Sequence, residues 1–175
     1  MAGWKYNITP PDEQEERYDV SSGRRRIGAF VLNVNGLALD SYVPSFTPIC
    51  ADLVKKTAAI VVNCKVVEDA VATATNIKIA KGSYVVSGTI LGNGSYGGTV
   101  SAIDKTNSDY DVITFSAAFG AALSVGDVLF TAKTTAGKTQ AVVANSALYE
   151  NEPDKLVTPF SANDKANLPY FQFNE

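Results

Sequence analysis

The sequence predicts an all-β fold, a compact antiparallel β-barrel or sandwich with extended N- and C-terminal arms. Three observations predict it. Val, Ile and Thr supply 42 of the 175 residues, and β-branched side chains suit a pleated strand better than a helix. Apolar residues fall in short runs bounded by Gly, Pro, Asn, Asp or Ser, without long stripes of period 3.6. The connections between those runs are too brief for repeated helical crossovers, so the strands should be antiparallel.

The strands expected in the core, residues 27–149, are Ile27–Val34, Gly36–Asp40, Ala58–Val67, Asn76–Ala80, Ser87–Leu91, Thr99–Asp104, Val112–Ser116, Asp127–Lys133 and Gln140–Ala144. Asn35-Gly36 between the first two suits a two-residue hairpin turn, because both central positions of that turn need positive φ. Three segments, 46–50, 87–91 and 125–129, echo one another, and each opens a strand from a turn; they read as similar barrel corners. Helix is scarce. Asp69–Ala74 has room for a turn or two, and the segment 140–149 is ambiguous between strand and helix.

The two ends differ from this core. Residues 1–26 hold Pro10-Pro11 and a run of mixed charge, and residues 150–175 hold Pro153, Pro159 and Pro169 among acids and aromatics. Both read as arms. Phe160, Tyr170, Phe171 and Phe173 would leave much apolar area in water unless something covers them. Together with Arg24, Arg25 and Arg26 they are the candidate assembly contacts. The C-terminal arm is expected to order only in an assembly and to be dispensable for the core.

Composition excludes much chemistry. There is no His in the chain, which removes imidazole-based nucleophilic sites and His-containing metal sites. Cys50 and Cys64 are too few and too far apart for a structural zinc and read as free thiols in a reducing compartment. Net charge is −3, with the core balanced and the excess acid in residues 150–175; no basic domain marks a nucleic-acid binder. No apolar run approaches the ~18 residues of a membrane span, and no signal peptide opens the chain. The expectation is a soluble product of the cytoplasm with no cofactor, no metal, no nucleic acid and no membrane.

Three motifs imitate chemistry. Gly92-Asn93-Gly94-Ser95-Tyr96-Gly97 spells GxGxxG, but the residues that follow alternate as a strand, so no helix N-terminus would face a pyrophosphate, and a hairpin tip is expected. Gly137-Lys138-Thr139 ends a segment like a P-loop, yet only 36 residues follow it, too few for the βα units such a site requires. Asp104, Asn107, Asp109 and Asp111 crowd together without EF-hand spacing, as in a polar turn. The neighbouring pairs Glu15/Glu16 and Glu68/Asp69 point apart and make no acid/base site.

The segment 63–133 resembles head fibre or head decoration proteins of tailed bacteriophages. The likeness rests on 64–70 (CKVVEDA), on 77–82 (IKIAKG), and on 100–104 (VSAID) followed by 109–114 (DYDVIT) and 125–129 (VGDVL). The resemblance implies a non-enzymatic structural protein on the capsid exterior, synthesised in the host cytoplasm, bound to the major capsid protein, and associated as a homotrimer. It transfers no site residues. The chain has no long fibrous or collagen-like segment, which favours a compact decoration or a fibre base. The rival readings are a stand-alone ligand-binding β-barrel, which should line its interior with polar or aromatic residues, and a nucleotide-dependent enzyme, which should depend on Lys138.

Overall fold

The computed structural model describes residues 30–33, 43, 47–147 and 158–169. The strands are β1 (Val31–Asn33), β2 (Pro48–Asp52), β3 (Thr57–Ile60), β4 (Asn63–Lys65), β5 (Asn76–Ala80), β6 (Ile90–Gly92), β7 (Gly97–Asp104), β8 (Tyr110–Phe115), β9 (Val128–Thr131) and β10 (Ser146–Ala147), followed by the helix α1 (Ala162–Asn167). The expected all-β class is what forms. The Asn35-Gly36 turn and the strand at Gly36–Asp40 lie outside the described residues.

Six strands make one antiparallel sheet in the order β4-β9-β6-β7-β8-β5. Its burial follows the period of two that a strand imposes: Ile77 and Ile79 on β5, and Asp111, Ile113 and Phe115 on β8, point inward while their neighbours are partly solvated. The sheet curls into a half-barrel until its two edges touch, at the bridge Val66↔Ile79 and the bond from the Val67 amide to the Lys78 carbonyl, 3.1 Å. Closure of that kind removes unpaired edges. Inside it Val66, Ile77, Ile79, Leu91, Ile113 and Leu129 are at most 1% exposed, and the rings of Phe115 and Phe119 meet at 5.2 Å. Among the described residues the interior is packed chiefly with aliphatic and aromatic side chains, with Asp111, paired to Lys81, the charged exception.

The second sheet has four strands in the order β1-β3-β2-β10. Here the antiparallel expectation needs a correction, because β1 runs parallel to β3. The chain between them passes through β2 on the far side of β3, which supplies the long crossover a parallel pair requires. β10 is only two residues long. Its ladder is lengthened by a side chain: Asn145 accepts from the Ala51 amide at 2.9 Å and donates to the Ala51 carbonyl at 3.0 Å, imitating one more backbone pair.

Three further expectations change. The run Ala58–Val67 is not one strand; it leaves one sheet after Ile60 and enters the other at Asn63. At that corner the Val61 amide bonds the Pro48 carbonyl and the Thr131 amide bonds the Val62 carbonyl, so the backbone stays satisfied while it changes partners. Residues 140–144 form no strand beyond the bridge Ala132↔Gln140, because the Gln140 side chain turns into a buried polar cluster. Ala72 and Thr73 form a single turn with no helix around them. Of the three echoing segments, those at Gly88 and Gly126 do share a positive-φ glycine before a strand of the curled sheet, whereas the first opens β2 of the other sheet.

Part of the segment read as a C-terminal arm is docked on the core. Residues 158–169 carry α1, and Leu168 is buried with Val61 and Ala144, with Cys50 and Phe160 packed against them. Ser161 caps the helix in a reciprocal box with Asp164, so the short helix begins with the Ser161 and Asp164 amides satisfied.

Candidate functional site

Of the candidate assembly contacts, Arg24, Arg25, Arg26, Tyr170, Phe171 and Phe173 lie outside the described residues. Phe160 is half-buried against the Val61, Ala144 and Leu168 cluster, so its ring is used at least in part within the chain. Exposed apolar side chains occur elsewhere. The β2–β3 hairpin tip presents Leu53 and Val54, the latter 92% exposed. Val31, on the neighbouring edge strand, bonds through its amide to the Lys56 carbonyl and is 72% exposed. On the curled sheet, Val71 and Val125 stand exposed on two loops joined by the bridge Ala70↔Leu123 and by the bond from the Val125 amide to Asp69 Oδ1, 2.8 Å.

The hairpin expectation for the GxGxxG motif holds, and the Gly-Lys-Thr segment has its place beside it. Gly92 pairs with Gly97 across the tip, and Asn93 Oδ1 accepts from the Ser95 and Tyr96 amides. Gly137, at φ +68°, lies flat against this hairpin: its carbonyl accepts from the Gly94 amide at 3.0 Å, and a Cβ added at Gly97 would come within 2.6 Å of the Gly137 Cα. Three glycines therefore let two backbones touch. Residues 139–147 form no helix, so the segment lacks the adjoining helix N-terminus on which a P-loop sets its phosphate.

The acidic loop is likewise built from turns. Asp104 Oδ1 accepts from the Thr106 hydroxyl and amide, which hold its carboxyl below the usual aspartate value, the hydroxyl being the larger cause. Asn107 Oδ1 accepts from the Asp109 and Tyr110 amides. Asp111 faces away from these three, into the sheet, where Lys81 Nζ lies 2.7 Å from it and 3.0 Å from the Lys105 carbonyl. The group is a pair of Asx turns and a separate ion pair. Cys64 is enclosed in the apolar core, and burial pushes its thiol up to about 12, which suppresses the thiolate a reactive cysteine needs. Among the described residues no helix is long and apolar enough to cross a membrane.

The densest polar chemistry sits where the docked segment meets the core. Asp164 is fully buried. Its Oδ2 accepts from Asn63 Nδ2 at 2.7 Å, from Ser161 Oγ at 2.9 Å and from the Ser161 amide at 3.0 Å; its Oδ1 accepts from the Ala144 amide at 2.7 Å and from Gln140 Nε2 at 2.9 Å. Gln140 Oε1 in turn faces Ser161 Oγ at 2.8 Å and Asn163 Nδ2 at 3.2 Å. Asn63 also donates to the Pro159 carbonyl, and its Oδ1 is buried without a hydrogen-bond donor. One carboxylate thus ties β4, the 140–144 turn and α1 together. Sequence reasoning missed this clamp. The signal was present as Ser161-x-x-Asp164, a capping-box spacing just before the apolar Leu168.

A family model described as head fiber protein matches residues 3–169. No curated protein and no solved structure matches the chain.

Proposed function

Because the chain belongs to the head fiber protein family, and so has a structural role in a bacteriophage virion, we propose that it sits on the capsid exterior as a compact decoration or the base of a head fibre. The single observation that carries this reading is the family match, which spans both sheets and the docked helix. The role is non-enzymatic. A small subunit on a capsid must present contact area, and the exposed Val31, Val54, Val71 and Val125 offer apolar area on both sheets.

Anchoring falls to the two ends of the chain, with the major capsid protein as the partner and a homotrimer as the assembled form. The clamp gives that idea a fixed starting point. Leu168 is held on the core, and Tyr170, Phe171 and Phe173 lie two, three and five positions beyond it in sequence. Arg24, Arg25 and Arg26 supply a weaker, salt-sensitive contact, since exposed ion pairs are worth roughly 0–1 kcal/mol.

Purified particles test the reading. The protein should be present in stoichiometric amounts by mass spectrometry and should be reached by antibodies on intact capsids. Removal of residues 170–175 should reduce its occupancy. A protein missing from particles, or enclosed within them, contradicts the proposal.

A further inference from the structure

We propose that Ser161 and Gln140 become joined by an ester bond that the chain forms by itself, with Asp164 carrying the proton. The two side chains are 21 positions apart in sequence and lie in contact, Ser161 Oγ at 2.8 Å from Gln140 Oε1. Making an ester from a carboxamide needs a hydroxyl beside the amide, a base on the hydroxyl, a proton source at the departing nitrogen, a donor on the carbonyl oxygen, and little water. Each requirement is met by a named group.

Asp164 serves both ends of the reaction. Its Oδ2 accepts from Ser161 Oγ at 2.9 Å, and its Oδ1 lies 2.9 Å from Gln140 Nε2. The Asp164 amide donates to Ser161 Oγ at 3.1 Å, which turns the hydroxyl hydrogen toward the carboxylate or the amide oxygen. Asn163 Nδ2 stands 3.2 Å from Gln140 Oε1, where negative charge would develop. The Val142 carbonyl accepts from Gln140 Nε2 at 2.9 Å and fixes the plane of the amide. Ser161, Gln140 and Asp164 are 1%, 4% and 0% exposed, so water has little access to hydrolyse the product. Asn163 is exposed and marks the way out for ammonia.

The step balances without an oxidant or co-reactant. Ser161 Oγ moves from the amide oxygen to the adjacent Cδ and bonds it, while its proton passes to Asp164 Oδ2. The tetrahedral centre then collapses, the Cδ–Nε2 bond breaks, and the carboxyl returns the proton to the leaving nitrogen after a small rotation. Serine hydroxyl and glutamine carboxamide become an ester and ammonia, which is protonated and diluted in water. Holding the reactants in contact replaces a bimolecular encounter with an internal one. The consequence is a covalent lock on the docked segment.

The full chain, purified and unfolded, should have a mass one ammonia below that of its sequence. Trypsin should release peptide 139–155 joined to peptide 156–165, and brief alkali should separate the two, as it does any ester. Ser161→Ala and Asp164→Asn should restore the full mass. The native chain alone decides the matter, so poor folding of either variant does not obscure it. A full sequence mass overturns the proposal, and so does an ammonia loss that maps to Asn35-Gly36 or Asn93-Gly94 with peptides 139–155 and 156–165 separate.

Discussion

The curled six-stranded sheet and the C-terminal clamp hold the molecule together by opposite chemistry. Inside the sheet, Val66, Ile79, Leu91, Ile113 and Leu129 are buried with only carbon to present to one another. Such contacts are numerous, individually weak and non-directional, so losing one costs in proportion to the atoms removed. In the clamp, a single carboxylate satisfies five donors from three parts of the chain. The Ser161 and Ala144 amides among its partners are buried with it, and the cost of losing it is chiefly the cost of stranding them. The two regions therefore differ in how damage spreads: it stays local in the sheet and propagates in the clamp.

Asp164→Ala is the sharpest way to break that comparison. In this variant, which lacks the group that would form the ester, Asn63, Gln140 and the Ser161 hydroxyl keep second partners, but the Ser161 and Ala144 amides lose the carboxylate bonds that hold them. With two backbone donors stranded at roughly 1–3 kcal/mol each, and the charge-assisted bonds gone, the loss should be about 4–6 kcal/mol. Urea denaturation should show it, and proteases should cut within residues 158–169 under native conditions. Leu129→Ala, at the centre of the curled sheet, should cost about 3–4 kcal/mol through transfer and cavity terms. It should leave residues 158–169 protected. If the clamp variant loses stability without exposing that segment, the two regions are not distinct in the way proposed.

A third, smaller test lies at the contact between the hairpin and the 134–139 segment. Gly126→Ala and Gly137→Ala both place a side chain at positive φ, but the first opens into free space and the second overlaps the Tyr96 carbonyl and the Gly97 amide. The first should cost about 1 kcal/mol for the left-handed backbone alone. The second adds overpacking and should reach about 2–4 kcal/mol. Equal losses would mean that the backbones can separate at little cost.

What the sequence made legible divides along the same line. β5 emerges at Asn76–Ala80 with its boundaries as expected, because Ile77 and Ile79 alternate with partly exposed residues. The break in 58–67 was hidden, since Val61 and Val62 continue the apolar run on either side of the corner and only their partners change. Residues 158–169 read as an arm because burial of an acid depends on donors brought from 63, 140 and 144, none of which is near in sequence. For the same reason deletion of residues 160–175, expected from the sequence to leave the core unchanged, should destabilise it by removing Asp164. The helix itself has six residues, too few for an apolar stripe of period 3.6 to show. Gly92, Gly97 and Gly137 were each visible as motif glycines, while the contact that joins them is tertiary. Family membership was readable from the central segment, and the match extends over the ends as well. The roles of Arg24–Arg26 and the terminal aromatics rest on proposal.

The smallest expected effect concerns an exposed carboxylate, the opposite of Asp164. Asp104 takes two hydrogen bonds from Thr106 at the β7–β8 turn, and these lower its folded-state value beneath the 3.8 of an ordinary aspartate. A depressed carboxylate contributes stability that is complete above the unfolded value and is lost as pH falls through the folded one. Asp104→Asn keeps the Asx geometry and removes the charge. The variant should therefore unfold slightly earlier than the native chain near pH 7, and the two midpoints should converge as pH falls beneath the ordinary aspartate value and the native carboxyl becomes protonated. Solvent screens this site, so salt should narrow the neutral-pH gap as well. Convergence with pH and salt would identify a charge effect confined to one turn. A gap that persists at low pH would instead place the loss in the turn geometry, and the exposed loop would then share the directional, partner-specific character of the clamp.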